Sequence, residues 1–455
     1  MKYRSDEDFI KSPKLSVITV NFNGRRFLAS FIESLKAQTL TPSEIIIVDN
    51  NSSDDSVAYL RESYPEVIVI PLRNNLGFSG GNNAGAKYAT GNLLAFMNND
   101  TVLEADCLEN LVNLWTGKTK EGVKVGAIAS KIRFYTKFLS FSFISSSFER
   151  EADSKRLGIG IDLEASCIVG ETYHKPLAIS GFHGLDFIDQ DQRIRWTSGS
   201  AQLLLPYSKT SEQAHKLRIR CIGSHQNIKG TILDVYCGES YLGNIEVSSE
   251  LDDYELEIPI KILQSAQWVI NNAGSHLDRF GNAADIGINQ FDSGQFEDSR
   301  ELEAFCGCSV LIPRSVYRQL GGFDERFFMY YEDTDLSWRM RSAGYKILYQ
   351  PLSITRHHHG GTSIEWSPLF RYFVMRNYSL MTLKNIHWED LPRFIKNYGD
   401  GLMAKWNACP EKRAATIIQS KWEDLNLPEE IEFKAFIDAI TFFPKILFQR
   451  IIAFK

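Results

Sequence analysis

The chain has 455 residues, too many for one ordinary core when single domains run to ~100 to 200, so two or three domains are expected. Hydrophobic residues at 44% and charged residues at 23% sit near soluble globular averages, which excludes global disorder and a multi-span membrane protein. A formal charge of -6 gives no overall attraction to phosphate backbones and no local basic surface compensates, so a nucleic-acid partner is excluded too.

The N-terminal run MKYRSDEDFIKSPK lacks the apolar stretch of a secretory leader. No segment reaches the ~18 uninterrupted apolar residues of a spanning helix. The seven cysteines are scattered apart from Cys306 and Cys308, form no zinc-type double pair, and read as reduced thiols. A cytoplasmic protein is expected.

LSVITVN (15–21) and IIIVD (45–49) are β-branched apolar runs separated by the helical stretch NGRRFLASFIESLKAQ, the signature of a parallel strand, helix, strand unit. VIVIPL (67–72) and NLLAFMNND (92–100) follow, with the small-residue helix GGNNAGAKYAT between them. An open α/β sheet is predicted, and such sheets bind ligands at the carboxyl ends of their strands. Asp49 and Asp100 both sit at such ends.

From 138 to 267 the rhythm changes to a period of two. In YELEIPIKIL, Tyr254, Leu256, Ile258, Ile260 and Ile262 face one way while Glu255, Glu257 and Lys261 face the other, which predicts an inserted antiparallel β-sandwich. The α/β pattern resumes at CGCSVLIPRSVYRQLGGFD, a strand followed by a helix ending at Gly321. After 390 the chain reads as helical, with Phe433, Phe436, Ile437 and Ile440 at helical spacing and Pro444 placed to start another helix. Beyond 433, Lys434, Lys445, Arg450 and Lys455 stand against Asp438 alone, so this tail is either a helix lying on an anionic membrane surface or one packed on the catalytic domain. The boundaries expected are 1–137, 138–267, 268–390 and 391–455.

FMNNDTVLEAD ends a buried strand with Asn98, Asn99 and Asp100. A carboxylate there can hold Mg²⁺ or Mn²⁺, although an Asp after a strand is, taken alone, more often a turn former or cap. GGFDERFFMYYEDTDLSWRMRSAGYKI sets Glu332, Asp333 and Asp335 after Phe327, Phe328, Tyr330 and Tyr331 and before a helix. Acids at a helix start favour the dipole, but capping needs only one or two. An acid walled by aromatics can have a raised pKa and accept a proton from a hydroxyl. LSITRHHHGGTS places His357, His358 and His359 after a strand, where one imidazole can complete a mixed oxygen and nitrogen site with Asp100. RNNLGFSGGNNAG matches neither dinucleotide nor P-loop patterns, so its glycines serve either close helix packing or backbone approach to a nucleotide or sugar.

VITVNFNG, IIIVDNNSSDDS, RNNLGFSGGNNAG, FMNND, CGCSVLIPRSVYRQLGGFDERFFMYYEDTDLSWRMRSAGYK and RHHHGGTS, in that order, resemble the family 2 glycosyltransferases, inverting enzymes of the GT-A fold, and especially their rhamnosyltransferase-like branch. The resemblance covers residues 14 to 135 and 268 to 385. It implies a GT-A fold of class α/β with a mostly parallel sheet, interrupted by the sandwich and followed by C-terminal helices. It also implies that Asp49 binds the donor's base with Asn21 and the Phe22 backbone nearby. Asn75, Gly77, Gly81 and Asn82, within Asn75 to Asn83, shape the nucleotide and sugar pocket beside Asn99 and Asp100. Asp100 matches the last acid of the family's DxD-like motif and holds Mg²⁺ or Mn²⁺, while Asn98 has lost the motif's first carboxylate. Asp333 matches the catalytic base, with Glu332 beside it. His357 matches the histidine that helps coordinate the metal, with His358 next in register. Arg376 and Asn377 resemble a basic pair near the diphosphate or acceptor, a solvated helix charge being the ordinary alternative.

The expected reaction is a single in-line displacement from a nucleoside-diphosphate sugar, either deoxythymidine-linked rhamnose or a uridine diphosphate hexose. The expected acceptor is a hydroxyl of a glycan or lipid-linked saccharide in surface polysaccharide synthesis, with peripheral membrane contact through the tail as one reading. A non-catalytic glycan-binding protein on a transferase scaffold is the competing class, and the intact EDTD and RHHHG segments speak against it. A nucleotidyltransferase, releasing pyrophosphate, is the third.

Overall fold

The structure, a computed structural model, describes residues 13–150, 155–169, 175–188, 192–208, 215–223, 231–359, 367–408, 411–425 and 427–453. The N-terminal run read for a leader and the GGTS of the histidine segment lie outside these, apart from Pro13 and Lys14. The chain divides into two compact units. Tyr135 closes the first stretch of one unit, which resumes at Asn271–Ile288 and again from Gly294; Thr136–Ile270 and Asn289–Ser293 form the other.

The first unit opens with β1 (Leu15–Asn21), α1 (Arg25–Lys36), β2 (Glu44–Asp49), α2 (Ser56–Ser63), β3 (Ile68–Pro71), α3 (Gly77–Tyr88) and β4 (Leu93–Met97). Val17, Ile18, Ile46, Ile47, Leu93 and Phe96 are fully buried, as strands covered on both faces must be. Helix α1 turns Phe27, Leu28, Phe31, Ile32 and Leu35 onto the sheet. Helix α3 approaches by lacking side chains: a methyl on Gly81 would stand 2.7 Å from Val20 Cγ2, and one on Gly85 2.6 Å from Ile18 Cγ2. This is the packing role for the glycine-rich run.

After β4 come β5 (Thr101–Leu103), α4 (Cys107–Lys120) and β6 (Val125–Phe134). Once the second unit is complete, the sheet gains β7 (Ser309–Pro313), and then follow α5 (Arg314–Gln319), α6 (Glu332–Ser342) and β8 (Lys346–His357). Strand order across the sheet runs β8, β6, β7, β4, β1, β2, β3, with Arg300–Leu302 edging β8. The pairings of β1 with β2 and β4, of β2 with β3, and of β6 with β8 are parallel. The β7 strand runs antiparallel to both neighbours, and the end of β8 pairs antiparallel with β5. The sheet is therefore mixed; an apolar run such as SVLIP carries no sign of its direction.

In the second unit an antiparallel sheet takes the order Ser240–Val247, Thr231–Cys237, Lys137–Ser145, Arg193–Tyr207, Gly160–Ile168, His215–Ile222, Asp252–Ile258, with Leu177–Phe187 also on Arg193–Tyr207. Its two end strands touch, so one sheet curls round a core that includes Phe141, Phe143, Leu203, Ile219, Leu233 and Val235. The alternation expected through Ile262 stops at Ile258. Pro259, without an N–H for the ladder, caps a short helix Ile260–Leu263 and leaves Ile260 exposed.

The first unit ends in α7 (Pro368–Asn385), α8 (Leu391–Ala408), α9 (Glu411–Gln419), α10 (Pro428–Ile440) and α11 (Phe443–Ala453). Among the described residues no helix is long and apolar enough to cross a membrane. Phe433 is fully buried and Phe436 and Ile437 pack into helical clusters, so α10 is a packed helix.

Candidate active site

Asn21 and Asp49 end neighbouring parallel strands in register. Asn21 Nδ2 donates to Asp49 Oδ1 at 3.0 Å and to Ser52 Oγ at 3.2 Å, and the Ser52 amide donates to Asp49 Oδ2 at 3.0 Å. Asn99 Nδ2 donates to Asn21 Oδ1 at 2.8 Å, tying the end of β4 to the same network. Phe22, next on the chain, is exposed. Gly24 lets this network close, since a methyl there would stand 2.2 Å from Asn99 Nδ2.

Asn50 is the residue the sequence reading passed over here. Its Nδ2 donates to Asn75 Oδ1 and the Gly77 carbonyl at 2.8 and 2.9 Å, while its Oδ1 accepts from the Leu76 amide. Asn75 Oδ1 also accepts from the Gly77 amide, so Asn50 and Asn75 together shape the loop into α3. Gly77 adopts φ +68°, and a methyl on it would lie 2.3 Å from the Phe328 carbonyl oxygen. Gly81 faces β1, and buried Asn82 donates back to the Phe78 carbonyl within α3. Asn83 reaches the other half of the unit: it donates to the Phe323 carbonyl and accepts from Tyr317 Oη at 2.6 Å.

Asp100 is buried where the chain turns from β4 into β5, and the β5–β8 pairing sets His357 opposite Thr101. His357 Nε2 lies 3.2 Å from Asp100 Oδ1. The other ring nitrogen, Nδ1, is 3.0 Å from Asn271 Oδ1, which holds the ring so that Nε2 faces the carboxylate. Asn271 opens the stretch that follows Thr136–Ile270, and no spacing in the sequence links it to His357. Burial raises the Asp100 carboxyl, but the imidazoles of His357 and His358 outweigh it and hold it below its ordinary value. His358 turns away: its ring stacks on Tyr135 at 3.5 Å and meets Phe27 at 5.0 Å, and burial pushes it down to about 4.

Residues 306–308 join this corner to the acids of α6. The Cys308 carbonyl accepts from the Asn98 amide at 2.9 Å, and the Gly307 amide donates to Asp333 Oδ2 at 2.8 Å. Asp333 Oδ1 accepts from the amide and hydroxyl of Thr334. Burial nevertheless raises the Asp333 carboxyl, and the nearby charge of Asp285 adds to the rise. Glu332 is buried with Oε2 unpartnered, and burial with the neighbouring Asp333 charge lifts it well above its ordinary value. Asp335 differs: it accepts from Arg339, Lys384 and Asn385 at 2.8 Å each, and these partners outweigh its burial and lower it.

Arg376 and Asn377 lie under the loop that precedes these acids. Buried Arg376 donates to the Arg326 carbonyl among the rings of Phe373 and Phe442, so it is no solvated helix charge. Asn377 Nδ2 donates to the carbonyls of Phe327, Met329 and Tyr330 at 2.8 to 2.9 Å.

Among the described residues no three His, Cys, Asp or Glu side chains cluster as a complete metal set. Asp100 Oδ1 and His357 Nε2 form a two-ligand pair with an oriented imidazole, which fits a Mg²⁺ or Mn²⁺ whose remaining ligands are phosphate oxygens and water. The chemistry open to the site is binding of a phosphorylated ligand at the strand ends and proton abstraction beside it.

A mixed α/β sheet with its polar residues gathered at strand ends, further antiparallel sheets and C-terminal helices is a GT-A-like fold. Residues 16–169 match the sequence model of glycosyl transferase family 2, and residues 256–371 match that of glycosyltransferase like family 2. It is 37% identical over 113 residues to an uncharacterized glycosyltransferase, alr2836, of Nostoc, covering 24% of this chain and 35% of that one. Over 52 residues it is 48% identical to an N-acetylglucosaminyl-diphospho-decaprenol L-rhamnosyltransferase of Mycobacterium tuberculosis, covering 11% and 17%. Over 138 residues it is 30% identical to the O-antigen biosynthesis protein RfbC of Myxococcus xanthus, covering 30% and 10%. The matched stretches thus span about a third or less of each relative.

Proposed function

We propose that the chain is an inverting glycosyltransferase that moves a sugar from a nucleoside-diphosphate donor to a hydroxyl of a glycan or lipid-linked acceptor in surface polysaccharide synthesis. The observation that carries the reading is the three-residue bridge 306–308, which touches Asn98 beside the Asp100–His357 pair at one end and Asp333 at the other. Likeness to a rhamnosyltransferase and to an O-antigen biosynthesis protein favours a deoxythymidine-linked rhamnose donor and a surface-glycan acceptor. A cytoplasmic location accompanies this reading.

In the proposed mechanism Asp49 and Asn21 receive the nucleobase, and the loop from Asn75 to Gly77 shapes the pocket around the donor. Asp100 and His357 would hold a Mg²⁺ or Mn²⁺, which when bound would neutralise charge on the departing diphosphate. Asp333 takes the proton of the acceptor hydroxyl as its oxygen bonds to the anomeric carbon from the face opposite the breaking phosphate bond. The Gly307 and Thr334 amides fix the carboxylate, and its raised pKa makes it a stronger base than an exposed Asp.

A donor panel read by thermal shift tests the class. A nucleoside-diphosphate sugar is expected to raise the melting temperature with Mn²⁺ present and less without it, by mass action on the native state. A panel in which no such donor shifts the transition would overturn the assignment.

A further inference from the structure

We infer that the α8–α11 helix pair presents an interfacial surface to an anionic membrane. The two helices meet through side chains at both ends: Tyr398 of α8 meets Phe443 of α11 at 5.1 Å, while Arg450 sits 4.4 Å over the ring of Trp388, just before α8. Arg450 also donates to the carbonyls of Leu383 and Ile386, which pins the end of α11 at the start of α8. Their inner faces are accounted for by Phe394, Tyr398, Ile446 and Leu447 in one helical core. Their outer sides are apolar as well: Trp388, Ile395, Phe448 and Ile451 are 38%, 47%, 64% and 51% exposed. A single exposed apolar residue needs no explanation, but three on this helix pair and a tryptophan at the start of α8 mark a contact surface.

Charge selects the partner. Lys396 adjoins Ile395, Arg393 lies exposed over the Phe280 ring at 4.7 Å, Lys445 stands one turn before Phe448, and Arg450 lies on Trp388. Of the acids nearby, Asp390 is held by Arg279 at 2.6 Å, leaving Glu389 and Asp400 on the outside. From 441 to the end the sequence has three cations and no acid, in a chain whose net charge is -6. Apolar rings among cations, with a tryptophan beside an arginine, suit the boundary between lipid headgroups and acyl chains. A second copy of the chain fits less well, because a stable interface takes ~20 to 30 residues a side and a two-fold contact would set these cations against themselves.

The same helix start also lines a cavity of about 320 Å³ together with Phe280, Tyr378, Tyr398 and Phe436. The Tyr378 ring is 6.1 Å from that of Tyr331, two residues before Asp333. A lipid-linked acceptor held at this surface would have its saccharide within reach of the base, and only this last link rests on the function proposed above.

The test is co-sedimentation of the full chain with phosphatidylcholine vesicles with and without phosphatidylglycerol. The protein is expected to pellet with the anionic vesicles and to be released by salt. Phe448→Ser should weaken partition about tenfold or more, from the lost apolar burial, and Lys445→Ala about fivefold, from one lost surface cation. Unchanged melting temperature and donor-induced shift, both read without vesicles, establish that fold and donor site persist and keep this test separate from that of the function. Variants that pellet like the parent overturn the inference. So does a parent that ignores vesicles and elutes as a dimer dissociated by Phe448→Ser.

Discussion

Three acids within one helical turn meet three different fates. Glu332, Asp333 and Asp335 are all visible in the sequence as a cluster at a helix start, but their roles are set by groups that sequence spacing does not reveal. Asp335 is neutralised by Lys384 and Arg339, Asp333 has only amide and hydroxyl donors, and Glu332 keeps an oxygen with no partner at all. Glu332 therefore stays protonated in the folded chain at a pH where it ionises in the unfolded one. The unfolded state gives up this proton first, so stability falls as pH rises from about 4.5 through the raised folded value. Glu332→Gln removes that dependence. The melting temperatures of parent and variant should run together in acid and separate at neutral pH with the variant higher; curves that stay parallel throughout would show that Glu332 ionises freely. At the metal pair, Asn271 holds His357 by its far nitrogen. Loss of such a partner typically costs ten- to a hundredfold in metal affinity, so Asn271→Ala should raise the Mn²⁺ concentration needed for half-maximal donor binding by about that factor. An unchanged Mn²⁺ titration would remove Asn271 from this role.

At the scale of elements, the loop before α6 is the least ordinary segment of the first unit. Phe328, Tyr330 and Tyr331 all have positive φ, between 65° and 68°, which bulky side chains rarely adopt and which costs of order 1 to 3 kcal/mol each. The surroundings impose it. Asn377 collects three carbonyls of the loop, Arg376 a fourth, and the missing side chain at Gly77 leaves room for the Phe328 carbonyl. The run FFMYYEDTD announces an aromatic wall ahead of acids, and the wall is there, but nothing in it signals a strained backbone. Asn377→Ala strands three carbonyls beneath the loop. A loss of about 2 to 4 kcal/mol in unfolding free energy is expected by denaturant titration, with turnover falling more than donor affinity as the acids lose their register. Turnover and stability both at parental levels would mean that the loop holds itself.

For the whole molecule, the parallel strands β1 to β4 were legible because β-branched runs alternate with helical stretches at the spacing a crossover requires. Asp49 and Asp100 were found at strand ends for the same reason. The direction of β7 was not legible, since a buried strand reads alike both ways, nor was the way the second unit closes as one curled sheet. The resemblance to family 2 supplied His357 and Asp333. It did not single out Asn50 or Asn271, which act through partners such as Leu76 and His357, 26 and 86 residues away in the chain. The measurement that bears most directly on the account is transfer and donor binding by Asp333→Asn, with the donor identified by the panel. The account predicts a fall of about 10² to 10⁴ in turnover with donor affinity unchanged, because the amide keeps the shape and loses the proton acceptor. Full transfer activity in that variant would contradict it.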